Sequence, residues 1–311
     1  MRGGTPRQQR TPRLHLPALA VFALALSSCS HSPLVLRTSA FATAATDTAN
    51  NTEDAYELVE ASFRDAQTAS MIAHFDTSGF DPSQIQPFLP EADRKVRSDV
   101  INGLRTYAEL LASVSGDQPS KDIDASAKTV ATSLQSISSD NLVKAHFTAA
   151  DANLAATAID ALGHELLERK RRSELPAVLR QMQQPIETIC TLLAADIGDP
   201  AHSGLRNELH NNYLDLLRDQ KNFIADNAAK LSPSEKRNEL RVLPKLADAE
   251  ADADHALAST EKTLLELART HTALAATAAQ KDAPALRLQL QQLDAQARQL
   301  TGFYSSLSSH H

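Results

Sequence analysis

Tryptophan is absent, aromatic residues make up only 4% of the chain, and 311 residues contain just two cysteines and nine glycines. With a net charge of −7 and few flat rings, the chain lacks both the basic field and the stacking faces that hold nucleic acid. The same shortage weakens a sugar-binding reading. Two cysteines build no disulfide framework. Scarce glycine, with threonine and valine that rarely alternate with polar residues, leaves no strand signal to compete with helix. Beyond residue 28 no stretch approaches 18 continuous apolar residues, the length needed for a spanning helix.

Catalytic and metal motifs are also missing. No GxSxG elbow, glycine-rich phosphate loop, CxxC or CxxCH occurs, and the paired ExxH helices of a di-iron bundle have no counterpart, Asp252 before His255 being the nearest approach. Gly163-His164-Glu165 suggests a zinc-protease helix, but Glu168 occupies the position where the second histidine belongs. The same fragment departs from the GxHxxE signature of imelysin-type envelope proteins because His164 stands one place early, so that family is not carried over. Asp248, Glu250, Asp252 and Asp254 alternate with alanine, which spreads them around half a helix without the glycine turn of a calcium loop; a solvated face is expected. His271 lies on an apolar seam and Cys190 among Ile186, Ile189, Leu193 and Ile197, so a satisfied core histidine and a small buried thiol are expected. No catalytic residue, cofactor or metal ligand is assigned.

What is present begins at the N-terminus. Arg2, Arg7, Arg10 and Arg13 precede a 13-residue apolar run from Leu14 to Leu26, and no acidic residue appears before Asp47. Such a run is too short for a permanent span and right for the core of a signal peptide. It ends in Leu26-Ser27-Ser28-Cys29, which resembles the lipobox of bacterial lipoproteins: a leucine, two small residues and the cysteine. The resemblance covers the N-terminus only. It implies that Cys29 carries the lipid and becomes residue one, and that Ser30, not being Asp, is compatible with transport to the outer membrane. Loss of residues 1–28 would leave 283 residues and remove four arginines, moving the net charge from −7 to −11.

Residues 29–51 are expected to be the lipidated cysteine and a flexible tether rich in Ser, Thr and Ala, about 25 Å long on average. From there the chain reads as helix after helix. Thr52 opens a first helix ending near His74; a proline-containing connection, Asp76 to Pro90, folds back over an apolar surface through Phe80, Ile85, Phe88 and Leu89. A second helix runs from Glu91 to Ser115, a third follows Ser120, and a fourth ends at Arg169-Lys170-Arg171-Arg172. The richest stripe is Leu175, Leu179, Met182, Ile186, Ile189, Leu193 and Ile197, with a kink expected at Pro185. Gly198-Asp199-Pro200 ends that helix, and the next carries Leu205, Leu209, Tyr213, Leu216, Phe223 and Leu231. Ser232-Pro233-Ser234-Glu235 is the best local start signal, opening a helix toward Gln280 with a kink at Pro244; Asp282 precedes the last.

The expected fold is therefore all-α, an elongated antiparallel up-and-down bundle of seven or eight helices over residues 52–309, with a subdomain seam near 198–200. The function expected is a lipid-anchored cell-envelope scaffold or adaptor, facing the periplasm from the outer membrane, that meets an envelope protein through helix faces. Its membrane contact is the lipid at Cys29, no nucleic acid is involved, and self-association stays open. The alternative is a periplasmic module for a small ligand or metal, seated near Pro185 or beneath the 76–90 connection. An enzyme whose site is assembled only by folding is the third reading.

Overall fold

The computed structural model describes residues 32–115 and 175–308. Cys29, Leu26, Ser27, Ser28, the expected third and fourth helices, His164 and the basic run Arg169–Arg172 lie outside the described residues. Within them the protein is an all-α bundle. Its helices are α1 (Pro33–Ala73), α2 (Glu91–Ser115), α3 (Leu175–Gln181), α4 (Gln183–Ile197), α5 (Leu205–Asp226), α6 (Pro233–Ala276) and α7 (Pro284–Ser308), and the connection from α1 to α2 contains two single turns, Phe75–Ser78 and Pro82–Gln84.

The expected tether is corrected at once, because residues 33–51 form the first half of α1. Ser32 caps it, its Oγ accepting from the Val35 N–H at 3.3 Å, and Pro33 occupies the first turn, where no N–H is needed. Its inward stripe is Val35, Thr38, Phe41, Ala42, Ala45, Thr48, Ala49, Thr52, Ala55, Val59, Ser62 and Ala66, all buried and spaced by helical repeats. Small residues make that stripe look polar and featureless. They also let neighbours approach closely, and the buried threonines turn back on their own helix, Thr48 Oγ1 donating to Ala44 O and Thr52 Oγ1 to Thr48 O. Asn51 is fully buried between α1 and α7: its Nδ2 donates to Ala297 O at 2.8 Å and its Oδ1 accepts from the Thr301 hydroxyl at 2.9 Å.

Paired contacts give the helix directions. Arg105 of α2 reaches Asn50 and Glu53 while Phe88, just before α2, meets Glu60, so α1 and α2 are antiparallel. Arg37 meets Gln280 and Asn51 meets Ala297, so α1 and α7 are parallel neighbours whose N-termini share one end of the bundle. Along α6, Arg206 pairs with Asp254, His210 with Glu250 and Gln220 with Glu239, so α5 and α6 are antiparallel. Helices α4 and α5 both lie along α6 but touch each other little. With α5 occupying the stretch before Asp254, α4 takes the stretch after it. The chain thus bends at Gly198–Gly204 and continues in the same direction.

That bend has no room for side chains. Gly198 and Gly204 have φ of +67° and +93°, and a Cβ on Gly198 would stand 2.0 Å from Ser203 O, one on Gly204 2.6 Å from Asp196 O. An antiparallel bridge between Asp199 and Ser203 closes the bend.

The richest stripe is as expected. Leu175, Leu179, Met182, Ile186, Ile189, Leu193 and Ile197 are all buried, and each contributes about 1.5–3 kcal/mol of transfer free energy. The interruption falls at Met182, between α3 and α4, three residues ahead of Pro185, which has no N–H to donate and whose ring crowds the preceding turn. The Ser232 start signal is complete: Ser232 Oγ accepts from the Glu235 N–H and the Glu235 carboxylate accepts from the Ser232 N–H at 2.8 Å. Helix α6 runs through Pro244 without interruption and ends at Ala276.

Candidate functional site

The 76–90 connection does fold back. Phe88 packs edge-on against Phe63 with ring centroids 5.6 Å apart, its N–H donates to Glu60 Oε2 at 2.9 Å, and Gln67 and Gln86 exchange two hydrogen bonds of 3.0 Å. Phe80 instead stays exposed. Beneath the connection, between α1 and α2, lies a groove of about 520 Å³. Its walls carry Glu53, Glu57, Glu60 and Glu91 against Arg64, Arg94, Lys95 and Arg97, so it has no charge bias of either sign.

At the groove floor three helices are tied by one carboxylate. Asp196, at the end of α4, accepts from Arg97 Nε at 2.7 Å and Nη2 at 2.8 Å, a bidentate pair, and from the Tyr56 hydroxyl of α1. Burial, then the Asp196 charge, raises the Tyr56 phenol well above its usual range, so it stays protonated. Burial opposes the charge on Arg97, but the bonds from Asp196 outweigh it and raise the guanidinium's affinity for its proton. A protonated phenol, a permanent cation and a carboxylate already accepting three bonds offer no base or nucleophile. Their chemistry is to fix α1, α2 and α4 together.

The histidine expected to be a satisfied core residue is in the core, but only one of its ring nitrogens is bonded. His271 is fully buried between Phe41 and Tyr107, its Nε2 2.6 Å from the Tyr107 hydroxyl, and burial pushes it down to about 3, so it is neutral. Its Nδ1 has no partner. Cys190 is a free, fully buried thiol pushed up to about 12 by its apolar surroundings, which favour the protonated form. The acidic run of α6 splits by face: Glu250 and Asp254 pair with His210 and Arg206 of α5, while Asp248 and Asp252 point to solvent. Among the described residues no cluster of His, Cys, Asp and Glu is arranged to hold a metal, and no helix is long and apolar enough to cross a membrane.

Exposed apolar side chains gather at the two ends. Ser62 of α1 meets Asn212 of α5, and Ile72 and Phe223 lie ten and eleven residues further along these parallel helices, about 15 Å on. Ile72, Phe75, Phe80, Leu214, Phe223 and Leu240 are all exposed in this half, and Phe75 is 59% accessible. At the opposite end Leu36 and Leu288 are exposed beside the first turns of α1 and α7, where a second groove of about 430 Å³ opens. Sequence periodicity placed Phe223 in a buried stripe; in the structure it is exposed. Arg37, on the wall of the second groove, was hidden among tether residues; the Ser32-Pro33 start, the same cap-and-proline pair as Ser232-Pro233, was the available signal.

No protein family, no curated protein and no solved structure matches the chain.

Proposed function

We propose that the protein is a lipid-anchored scaffold of the bacterial cell envelope that holds a protein partner at the end of the bundle remote from the anchor. The observation that carries this reading is the polarity of the fold. One end, where α1 begins, is four residues from Cys29, and six exposed apolar side chains, Ile72, Phe75, Phe80, Leu214, Phe223 and Leu240, lie in the other half. Apolar side chains exposed together at one end of a bundle mark a contact surface. The lipobox-like Leu26-Ser27-Ser28-Cys29 supports the anchor. Because α1 starts at Pro33, at most about 14 Å of extended chain separates it from Cys29.

A small-ligand module using the groove under the 76–90 connection is the second reading, favoured by its size and its Phe88 and Leu89 roof. In-cell crosslinking and capture of the anchored chain separates the two. The scaffold reading expects one envelope protein in stoichiometric amount, lost with Phe223→Glu plus Leu240→Lys and reduced with Cys29→Ala. A chain that comes out alone, carrying a small molecule displaced by Tyr56→Trp, would overturn it.

A further inference from the structure

The groove between the first turns of α1 and α7 contains a buried cation with no ion-pair partner among the described residues. Arg37 is 92% buried there, with only 8% of its surface accessible, and spans the two helix starts: its Nε donates to Pro33 O at 3.1 Å and its Nη2 to Gln280 O at 2.7 Å. Nη1 has no partner. No carboxylate among the described residues forms an ion pair with it; Asp282 is close enough to act on its charge, but its Oδ1 is bound by Arg287 at 3.3 Å. Burial accordingly lowers the Arg37 affinity for its proton despite Asp282, with Arg287 adding repulsion. A buried cation is costly unless an anion meets it.

The surroundings suit an anion of one kind. Arg37, Lys281, Arg287 and Arg298 line the groove against Asp282 and Asp294, an excess of two positive charges in a chain whose overall charge is negative. The parallel N-termini of α1 and α7 add the positive ends of two helix dipoles at the same place. Leu36 and Leu288, exposed on either helix, give this end apolar side chains beside its cations.

We propose that this groove is a phosphate-binding site, with Arg37 as its buried contact and Lys281 and Arg287 at its mouth, and that the phosphate is the headgroup phosphodiester of an anionic lipid. The choice of a lipid over a free phosphate rests on the anchored reading, which puts Arg37 one helical turn from the start of α1 and so at the level of the headgroups. The site itself does not depend on that reading.

The test uses the full chain with Cys29→Ser, so that no acyl chain contributes, and measures binding of inorganic phosphate by titration calorimetry and of phosphatidylglycerol or phosphatidylcholine vesicles by co-sedimentation. Expected is saturable phosphate binding that Arg37→Gln weakens at least about tenfold and Arg37→Lys less, and phosphatidylglycerol binding that phosphate competes away. Lys281→Gln plus Arg287→Gln, both at exposed positions, weakens vesicle binding by about tenfold and decides the matter if Arg37→Gln lowers helicity. Phosphate binding with no preference between the vesicles keeps the site and assigns it a soluble phosphate ester. No phosphate binding, or binding and vesicle preference unchanged in the variants, overturns it. Lipid mass on Cys29, measured separately on the unmodified chain, reports on the anchor alone.

Discussion

The two halves of α6 belong to one continuous helix and differ in burial. Residues 253–276 contribute twelve buried side chains, among them Leu257, Leu264, Leu267, His271 and Leu274, whereas residues 233–252 contribute none. Both halves carry an apolar stripe; Leu243 and Leu246 continue the seam at helical spacing but are only half covered. The difference is in the neighbours. In the second half His271 meets Phe41 of α1 and Tyr107 of α2, and Thr260 meets Tyr304 of α7; in the first, Glu239 is tied to Gln220 of α5. One half is a core; the other, among the described residues, is a charged helix with a half-covered apolar stripe.

That contrast is breakable by mutation. Leu264→Ala or Leu267→Ala, both at fully buried positions, is expected to cost about 2–5 kcal/mol in urea unfolding, and Leu243→Ala or Leu246→Ala under about 1 kcal/mol. Equal losses in both halves would erase the distinction. Next in size is the bend that carries the chain from one half to the other: Gly204→Ala is expected to cost about 2–4 kcal/mol, since its positive φ and the contact with Asp196 O leave a Cβ no place.

Acid should affect the packed half specifically. His271 is held at about 3 when folded and returns to its ordinary value near 6.5 when unfolded, so between these values the unfolded chain binds the extra proton. Its contribution is complete above about pH 6.5 and is lost as pH falls toward 3, up to a few kcal/mol. His271→Phe should flatten the stability profile over that window; a slope identical to the parent would show that His271 is not the sensor. In the open half, Ser232→Ala should cost about 1 kcal/mol and fray the start of α6, seen as faster amide exchange in its first turns.

Legibility in the sequence followed residue size. Large aliphatic stripes were plain: α2 has the boundaries expected from its spacing, and every member of the Leu175–Ile197 stripe is buried. Stripes of Ala, Thr and Ser were not, which is why 33–51 read as a tether although Ala45, Thr48, Ala49 and Asn51 are fully enclosed. Asn51 in particular looks like a surface residue and serves as the bond between α1 and α7. Contacts assembled across the chain, such as Tyr56 and Arg97 on Asp196, leave no local pattern at all. Nor does periodicity tell whether a stripe is covered, and the exposed face of Phe223 and Leu240 could be found only in three dimensions.

The central claim is that this uncovered end meets another protein while the opposite end stands on the membrane. A photo-crosslinking residue placed at Phe223 or Leu240 in cells tests it directly, with one at Leu264 as the buried control. The account predicts a single heavy adduct from the first two positions, absent from the third and diminished by Cys29→Ala. Crosslinks that form only within the chain, or equally from all three positions, would contradict it.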